Sequence, residues 1–157
     1  MSIIHYLSAN KVLPIGEFNS SGKNLKLNSE VFTYKSRDEA AGIYVQKLTT
    51  PSVDILSHFK NSNIYTIAPN IGKFFFCPEL KVQNEETYYE NRKCILELIN
   101  YICENICDGE EFEIYSCWSG EEELIQEEKL HEVIDLKHFS LGDEFSLDDK
   151  KYILIKG

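Results

Sequence analysis

The sequence predicts a single α+β domain, with a mostly antiparallel, or mixed, β-sheet and one long amphipathic helix packed on one face. Three observations predict this class. Residues 85–107 repeat apolar side chains at helical spacing, whereas several short runs elsewhere are rich in β-branched and aromatic residues. Helical and strand-like runs do not alternate regularly, which disfavours a doubly wound parallel fold. The chain has 157 residues, so residues 1–157 are expected to form one globular domain.

The N-terminal part of the chain is predicted to supply strands and one short helix. The strand-like runs are residues 3–7, 31–34 and 43–48. The polar stretch 19–29 is predicted to be a loop. Ser52 is placed to cap a short helix near 53–60, where apolar side chains follow at helical spacing.

A hairpin is predicted next. Residues 64–67 and 73–77 both look like strands, and Pro69, Asn70 and Gly72 between them favour a turn. The two strands are then expected to be neighbours in the sheet.

The long helix is predicted over about 85–107. One apolar stripe runs along it, formed by Tyr88, Ile95, Leu98, Ile99, Ile102 and Ile106. Glu85 and Glu86 lie in its first turn, where negative charge suits the helix dipole. Gly109 follows its end and suits a left-handed capping position.

A strand is predicted at residues 111–118. Phe112, Ile114 and Trp118 alternate with Glu111 and Glu113, which predicts a strand with one buried face. The alternation places Trp118 on the apolar face. Burial in the core is therefore the favoured role for Trp118, with an exposed binding anchor as the alternative.

The region after this strand is ambiguous. Ser119 and Glu122 have the spacing of a capping box, but the apolar residues that follow do not share one helical face. Residues 120–128 are therefore either helix or acidic loop. The tail is predicted to contain strands at 134–139, 144–147 and 152–156.

The net charge of the protein is concentrated in one segment. Residues 108–135 hold eleven acidic residues and one basic residue, Lys129, so this segment accounts for the whole net charge of −10. Acidic and basic residues balance in the rest of the chain. An acidic block repels phosphate and anionic lipid, so neither nucleic acid nor a membrane is an expected partner.

A basic protein is the partner that the acidic segment favours, because opposite surface potentials attract and select partners. The alternative is a solvated segment that only aids solubility. The predicted partner-binding residues are Trp118, Glu121, Glu122, Glu123, Glu127 and Glu128. Small acidic immunity or inhibitor proteins that neutralise basic toxins act by the same logic, an analogy of charge and size alone.

The five cysteines indicate a reducing compartment. Their number is odd, none forms a C-x-x-C pair, and residues 1–18 lack the continuous apolar region of a secretory signal. The protein is therefore expected to be cytoplasmic with reduced thiols. Cys117 and Cys77 are the candidates for a reactive thiol, but carboxylates near Cys117 in sequence favour an inert one.

Motifs for catalysis and for metal or nucleotide binding are absent. Glu128 and His131 have the spacing of half a di-iron motif, and Cys103 and Cys107 supply half a zinc site, but neither set has its remaining ligands. No glycine-rich phosphate loop or nucleophile elbow is present. We expect no cofactor, no metal and no catalytic residue.

Two functions fit these patterns. The favoured one is a non-catalytic binding module that docks a basic protein on residues 108–135. The alternative is a small enzyme or ligand-binding domain with a pocket between the helix and the sheet.

Overall fold

The computed structural model describes residues 2–19 and 40–157. The strands in these ranges are β1 Ile3–Ala9, β2 Gly16–Phe18, β3 Ile43–Lys47, β4 Asn63–Pro69, β5 Phe75–Phe76, β6 Glu111–Trp118, β7 His131–Asp135, β8 Phe145–Ser146 and β9 Tyr152–Lys156. The helices are α1 Val53–Leu56, α2 Pro78–Gln83 and α3 Glu85–Asn105, with one 3₁₀ turn at Glu128–Leu130. The predicted α+β class is confirmed.

Seven strands form one mixed sheet in the order β2-β3-β4-β1-β6-β9-β7. All neighbours are antiparallel except β7 and β9, which are parallel. The central strand β1 places His5 between Ile67 of β4 and Ser116 of β6. At one end of the sheet, Ile3 of β1 lies opposite Trp118 of β6. We call this the Trp118 end, and the other end of β6 the Glu111 end.

Helix α3 packs on one face of the sheet, as the apolar stripe predicts. Ile95, Leu98 and Ile102 of the helix belong to the same buried cluster as Leu7 and Ile114 of the sheet. We call this side of the sheet the helix face. The side chain of Asn84 caps the start of the helix by accepting a hydrogen bond from the backbone N–H of Thr87. The helix ends two residues earlier than predicted, because Ile106 has an extended backbone.

The other side of the sheet, the opposite face, is also covered. Tyr6, Ile55, Ile64, Tyr115 and Cys117 form a second buried cluster there. The prediction that β6 has one buried face is therefore wrong. Helix α1 and the chain after β6 both lie over this face, so the polar side of β6 is enclosed as well.

The predicted hairpin across residues 68–72 is also wrong. Phe75 and Phe76 pair with β8 and form a separate two-stranded sheet. The cause is Asn91 of α3, whose side-chain oxygen accepts from the N–H of Lys73 at 3.1 Å and whose amide donates to the carbonyl of Phe75 at 2.9 Å. Gly72 has a φ of +66° and a Cβ there would lie 2.0 Å from that Asn91 oxygen, so only glycine fits this contact.

Several other boundaries differ from the prediction. Helix α1 ends at Leu56 instead of near residue 60. Of the two alternatives for residues 120–128, the structure has the loop, with turns up to residue 124 and a 3₁₀ turn that begins at Glu128. The strand predicted at 134–139 begins at His131 and ends at Asp135. Strand β2 and helix α2 were not predicted, and the predicted strand 31–34 lies outside the described residues, as does nearly all of the predicted loop 19–29.

The carboxylate of Glu113 is buried on the opposite face and binds four donors. Its Oε1 accepts from the hydroxyl of Ser8 at 3.0 Å and from the backbone N–H groups of Lys60 at 2.9 Å and Asn61 at 3.0 Å. Its Oε2 accepts from the hydroxyl of Tyr152 at 2.5 Å. The carboxylate therefore ties the chain after α1 to strands β1, β6 and β9. Burial, together with this hydrogen bond to Glu113, raises the pKa of Tyr152 above its ordinary value.

Replacing Glu113 with glutamine is expected to destabilise the protein by about 1–3 kcal/mol. The reason is that one carboxylate oxygen, which accepts hydrogen bonds, becomes an NH₂ group that faces hydrogen-bond donors. Urea denaturation measures the change. Glu111→Gln is the matched control, since Glu111 is exposed on the same strand and its substitution should cost less than about 0.5 kcal/mol. Equal stability of the two variants would contradict the structural role of Glu113.

Candidate functional site

The chain after β6, residues 119–130, is called the acidic loop, and His58 attaches it to the opposite face. The His58 ring stacks on Tyr115 with a centroid distance of 3.9 Å. Its Nε2 lies 2.6 Å from the carbonyl oxygen of Glu122, and the amide of Gln126 lies 3.0 Å from its Nδ1. Both bonds form when Nε2–H donates and Nδ1 accepts. The loop is thus held at two points, four residues apart.

Glu122 also contributes to this attachment. Its carboxylate accepts from the hydroxyl of Tyr6 at 3.2 Å and from the backbone N–H of Gly120 at 3.3 Å. The side chain therefore points toward the sheet. Of the predicted partner-binding residues, Glu122 is the one whose carboxylate helps to hold the loop in place.

The other predicted carboxylates are placed toward solvent. Glu123 and Glu128 are exposed, and Glu121 is partly exposed. Within the described part of the chain, none of these three forms an ion pair. Glu127 lies 3.4 Å from Lys129 in a solvent-exposed pair, which contributes little to stability.

The segment 108–135 does not form one continuous acidic face. Strand β6 crosses the sheet between its two parts, and seven steps of about 3.3 Å separate Glu111 from Trp118. Asp108 pairs with Lys137 and Glu110 pairs with Lys11 at the Glu111 end.

Two carboxylates from outside that segment join the acidic loop at the Trp118 end. Asp149 accepts a hydrogen bond from the backbone N–H of Trp118 at 3.3 Å, and Asp148 precedes it in the same turn. The carboxylates at the Trp118 end therefore come from two separate parts of the sequence, the acidic loop and the turn before β9. Sequence spacing gave no signal for this contact, because the turn before β9 is about thirty residues away.

The negative potential at the Trp118 end acts on buried groups. Burial, together with the charges of Glu122, Asp149, Glu121 and Glu123, raises the pKa of Cys117 to about 12. Burial and neighbouring negative charges likewise raise the pKa of Tyr115. Cys117 is therefore a protonated, inert thiol, in agreement with the effect expected from its neighbours in sequence.

Trp118 lies half-buried at the wall of a cavity of about 640 Å³. This Trp118 cavity is found where β1 begins and β4 and β6 end, and the segments around Phe74 and Leu147 complete its lining. The cavity is partly open to solvent. Trp118 is therefore neither a fully buried core residue nor a freely exposed anchor.

His5 is the buried polar side chain of this cavity. Its Nδ1 lies 2.7 Å from the hydroxyl of Ser116, and its ring meets Phe74 edge-on at 5.1 Å. Burial lowers the pKa of His5 to about 4, so the imidazole is uncharged at neutral pH. His5 is part of no metal-binding or catalytic motif in the sequence. The alternation of side chains along β1 puts His5 on the same face as Leu7, but the sequence gives no signal that His5 and Trp118 line one cavity.

The remaining candidates from the sequence are dispersed. Cys103 and Cys107 are both exposed, and Cys77 is half-buried beside α2. No group of three or more potential ligands within the described ranges is placed to hold a metal ion. The interface between α3 and the sheet is packed, with a void of only about 20 Å³. The larger cavities therefore lie elsewhere in the fold.

Comparison with known proteins found no matching family model, and no curated protein or solved structure was significantly similar to the chain. In residues 2–19 and 40–157, every helix is too short or too polar to cross a membrane. The geometry and chemistry of the residues themselves therefore carry the functional proposal.

Alkylation with iodoacetamide at pH 8 is expected to modify Cys103 and Cys107 first, because both are exposed. Cys117 is fully buried and its pKa is about 12, so only about one thiol in ten thousand is ionised at that pH. Peptide mass spectrometry of the native protein should find Cys117 unmodified until urea is added. Labelling of Cys117 as fast as Cys103 in the native protein would contradict its burial.

Proposed function

We propose that the protein is a non-catalytic binding module that docks a basic protein partner on the acidic loop. One observation carries the proposal: the loop is fastened to the sheet by His58 and Glu122, while Glu121, Glu123 and Glu128 are left without ion pairs among the described residues. Charges that are held in place and not neutralised within the fold are suited to a partner's cations.

The attachment of the loop supports this function energetically. A partner that binds a flexible acidic segment must order the segment, which costs binding free energy. The two contacts of His58 and the bond from Tyr6 to Glu122 fix the loop before binding. Preorganisation of this kind favours affinity without additional contacts.

The loop also presents apolar side chains. Ile125 is 88% exposed and Leu124 is 37% exposed, between the carboxylates on either side of them. Protein interfaces commonly combine an apolar centre with a charged rim. The partner surface that fits is therefore basic with an apolar patch at its centre. A nucleic acid backbone, which is negatively charged, does not meet this description.

The proposed setting is the cytoplasm. All five cysteines are free, and a reducing compartment keeps thiols in that state. The proposed binding requires no metal, cofactor or covalent step.

The test uses a variant in which Glu121, Glu123 and Glu128 are all changed to glutamine. Glu122 is kept, because its carboxylate holds the loop. The control variant carries glutamine at Glu104, Glu111 and Glu144, which are exposed and lie outside the acidic loop, so that both variants lose three charges.

Affinity capture from the native host at low and high salt is then compared, with cross-linking to locate the contact. A basic protein retained by the wild type and the control, lost by the loop variant and cross-linked within 119–130 supports the proposal. The loss should be at least tenfold in retained protein at low salt. Retention by all three proteins alike, or by none, would overturn it.

A further inference from the structure

The Trp118 cavity has the size of a site for a small molecule. Its volume of about 640 Å³ lies within the range of roughly 300–1,000 Å³ that is typical of ligand pockets. Its lining is mainly apolar and includes the rings of Phe74 and Trp118. Both rings come from segments fixed by the fold, since Trp118 ends β6 and Phe74 adjoins the segment that Asn91 holds. The cavity is therefore largely preformed.

His5 supplies the directional polar group of this cavity. Ser116 is fully buried, and the Nδ1 of His5 is the one partner of its hydroxyl among the described residues. A buried hydroxyl hydrogen needs an acceptor, so the hydroxyl of Ser116 donates to Nδ1. The hydrogen of the uncharged imidazole is then on Nε2. No described residue bonds Nε2, and the ring lines the cavity, so Nε2–H is available there as a donor.

The charges around the cavity disfavour an anionic ligand. Asp148 lies in its lining, and Asp149 is hydrogen-bonded to the backbone of Trp118. His5 is uncharged at neutral pH and supplies no positive charge. Lys73 also borders the cavity, but Lys73 and Asp148 are both exposed to solvent, where water weakens their opposite charges to the same degree. The partly buried carboxylate of Asp149 therefore leaves the local charge negative.

We propose that the Trp118 cavity binds a small, uncharged aromatic molecule that accepts a hydrogen bond from the Nε2–H of His5. The half-buried Trp118 provides the ring surface against which a planar ligand packs, while Phe74 is only 2% exposed and forms part of the wall. His5 selects an acceptor such as a carbonyl oxygen or a ring nitrogen. This ligand site is separate from the proposed partner-binding surface. The ligand would lie in the cavity at the Trp118 end of the sheet, whereas the partner would contact the exposed carboxylates of the acidic loop.

The chain offers a direct reporter of this site. Trp118 is its one tryptophan, so an ¹⁵N-labelled sample shows one indole N–H resonance, and that resonance belongs to the cavity wall. Three probes of nearly the same shape are titrated at pH 7: 1-naphthamide, which is uncharged and carries an acceptor; 1-naphthoate, which is anionic; and 1-methylnaphthalene, which lacks an acceptor.

The expected result is a saturating shift of the indole resonance with 1-naphthamide. Binding of 1-methylnaphthalene should be weaker by about fivefold to tenfold, since it lacks one buried hydrogen bond. Binding of 1-naphthoate should be weaker still. The proposal is overturned if 1-naphthamide leaves the resonance unmoved, or if 1-naphthoate binds as tightly as the amide.

The variant His5→Leu tests the hydrogen bond itself. It removes the donor and puts an apolar side chain in its place, so the amide and the hydrocarbon should bind with nearly equal affinity. A preference for the amide that persists in this variant would overturn the role of His5. If His5→Leu does not fold, the comparison of the three probes on the wild-type protein still decides the proposal. Binding of the amide should also persist in the variant with glutamine at Glu121, Glu123 and Glu128.

Discussion

The buried carboxylate of Glu113 organises the opposite face of the sheet. Removing a charged carboxylate from water costs several kcal/mol, and here two hydroxyls and two backbone N–H groups offset that cost. The two N–H groups belong to Lys60 and Asn61, so the carboxylate fixes the chain directly after α1. His58 lies in that fixed stretch, and it in turn holds the acidic loop through Glu122 and Gln126.

These successive contacts, from Glu113 to the chain after α1 and from His58 to the acidic loop, explain why the acidic loop has a defined conformation. Glu113 lies within the acidic segment, yet it works inside the fold, and Glu122 also bonds inward to Tyr6. The remaining carboxylates of the loop are directed outward from a fixed backbone. The Trp118 end of the sheet also contains the Trp118 cavity, whose buried polar side chain is the uncharged His5. A charged outer surface and an apolar inner site thus meet at Trp118.

The sequence predicted the elements whose side chains repeat regularly. The apolar stripe located α3 within two residues, and the strand predicted at 152–156 matches β9. The other features depend on contacts between residues that are far apart in the sequence, and these could not be predicted. The alternation along β6 suggested that Glu113 faces water, because sequence alone does not reveal four donors from other segments. Likewise, the hairpin failed because Asn91 of α3 holds the loop after Gly72. The acidic segment is continuous in the sequence but not in the structure. Strand β6 spans the sheet and therefore separates the acidic residues before it from those after it.

Hydrogen exchange of the Glu113→Gln variant tests the central claim most directly. If Glu113 positions the acidic loop through His58, amides of residues 57–61 and 119–128 should both exchange faster than in the wild type, while amides of α3 keep their protection. The Glu111→Gln variant should exchange as the wild type does. Faster exchange in 57–61 with no change in 119–128 would contradict the dependence of the acidic loop on the buried carboxylate.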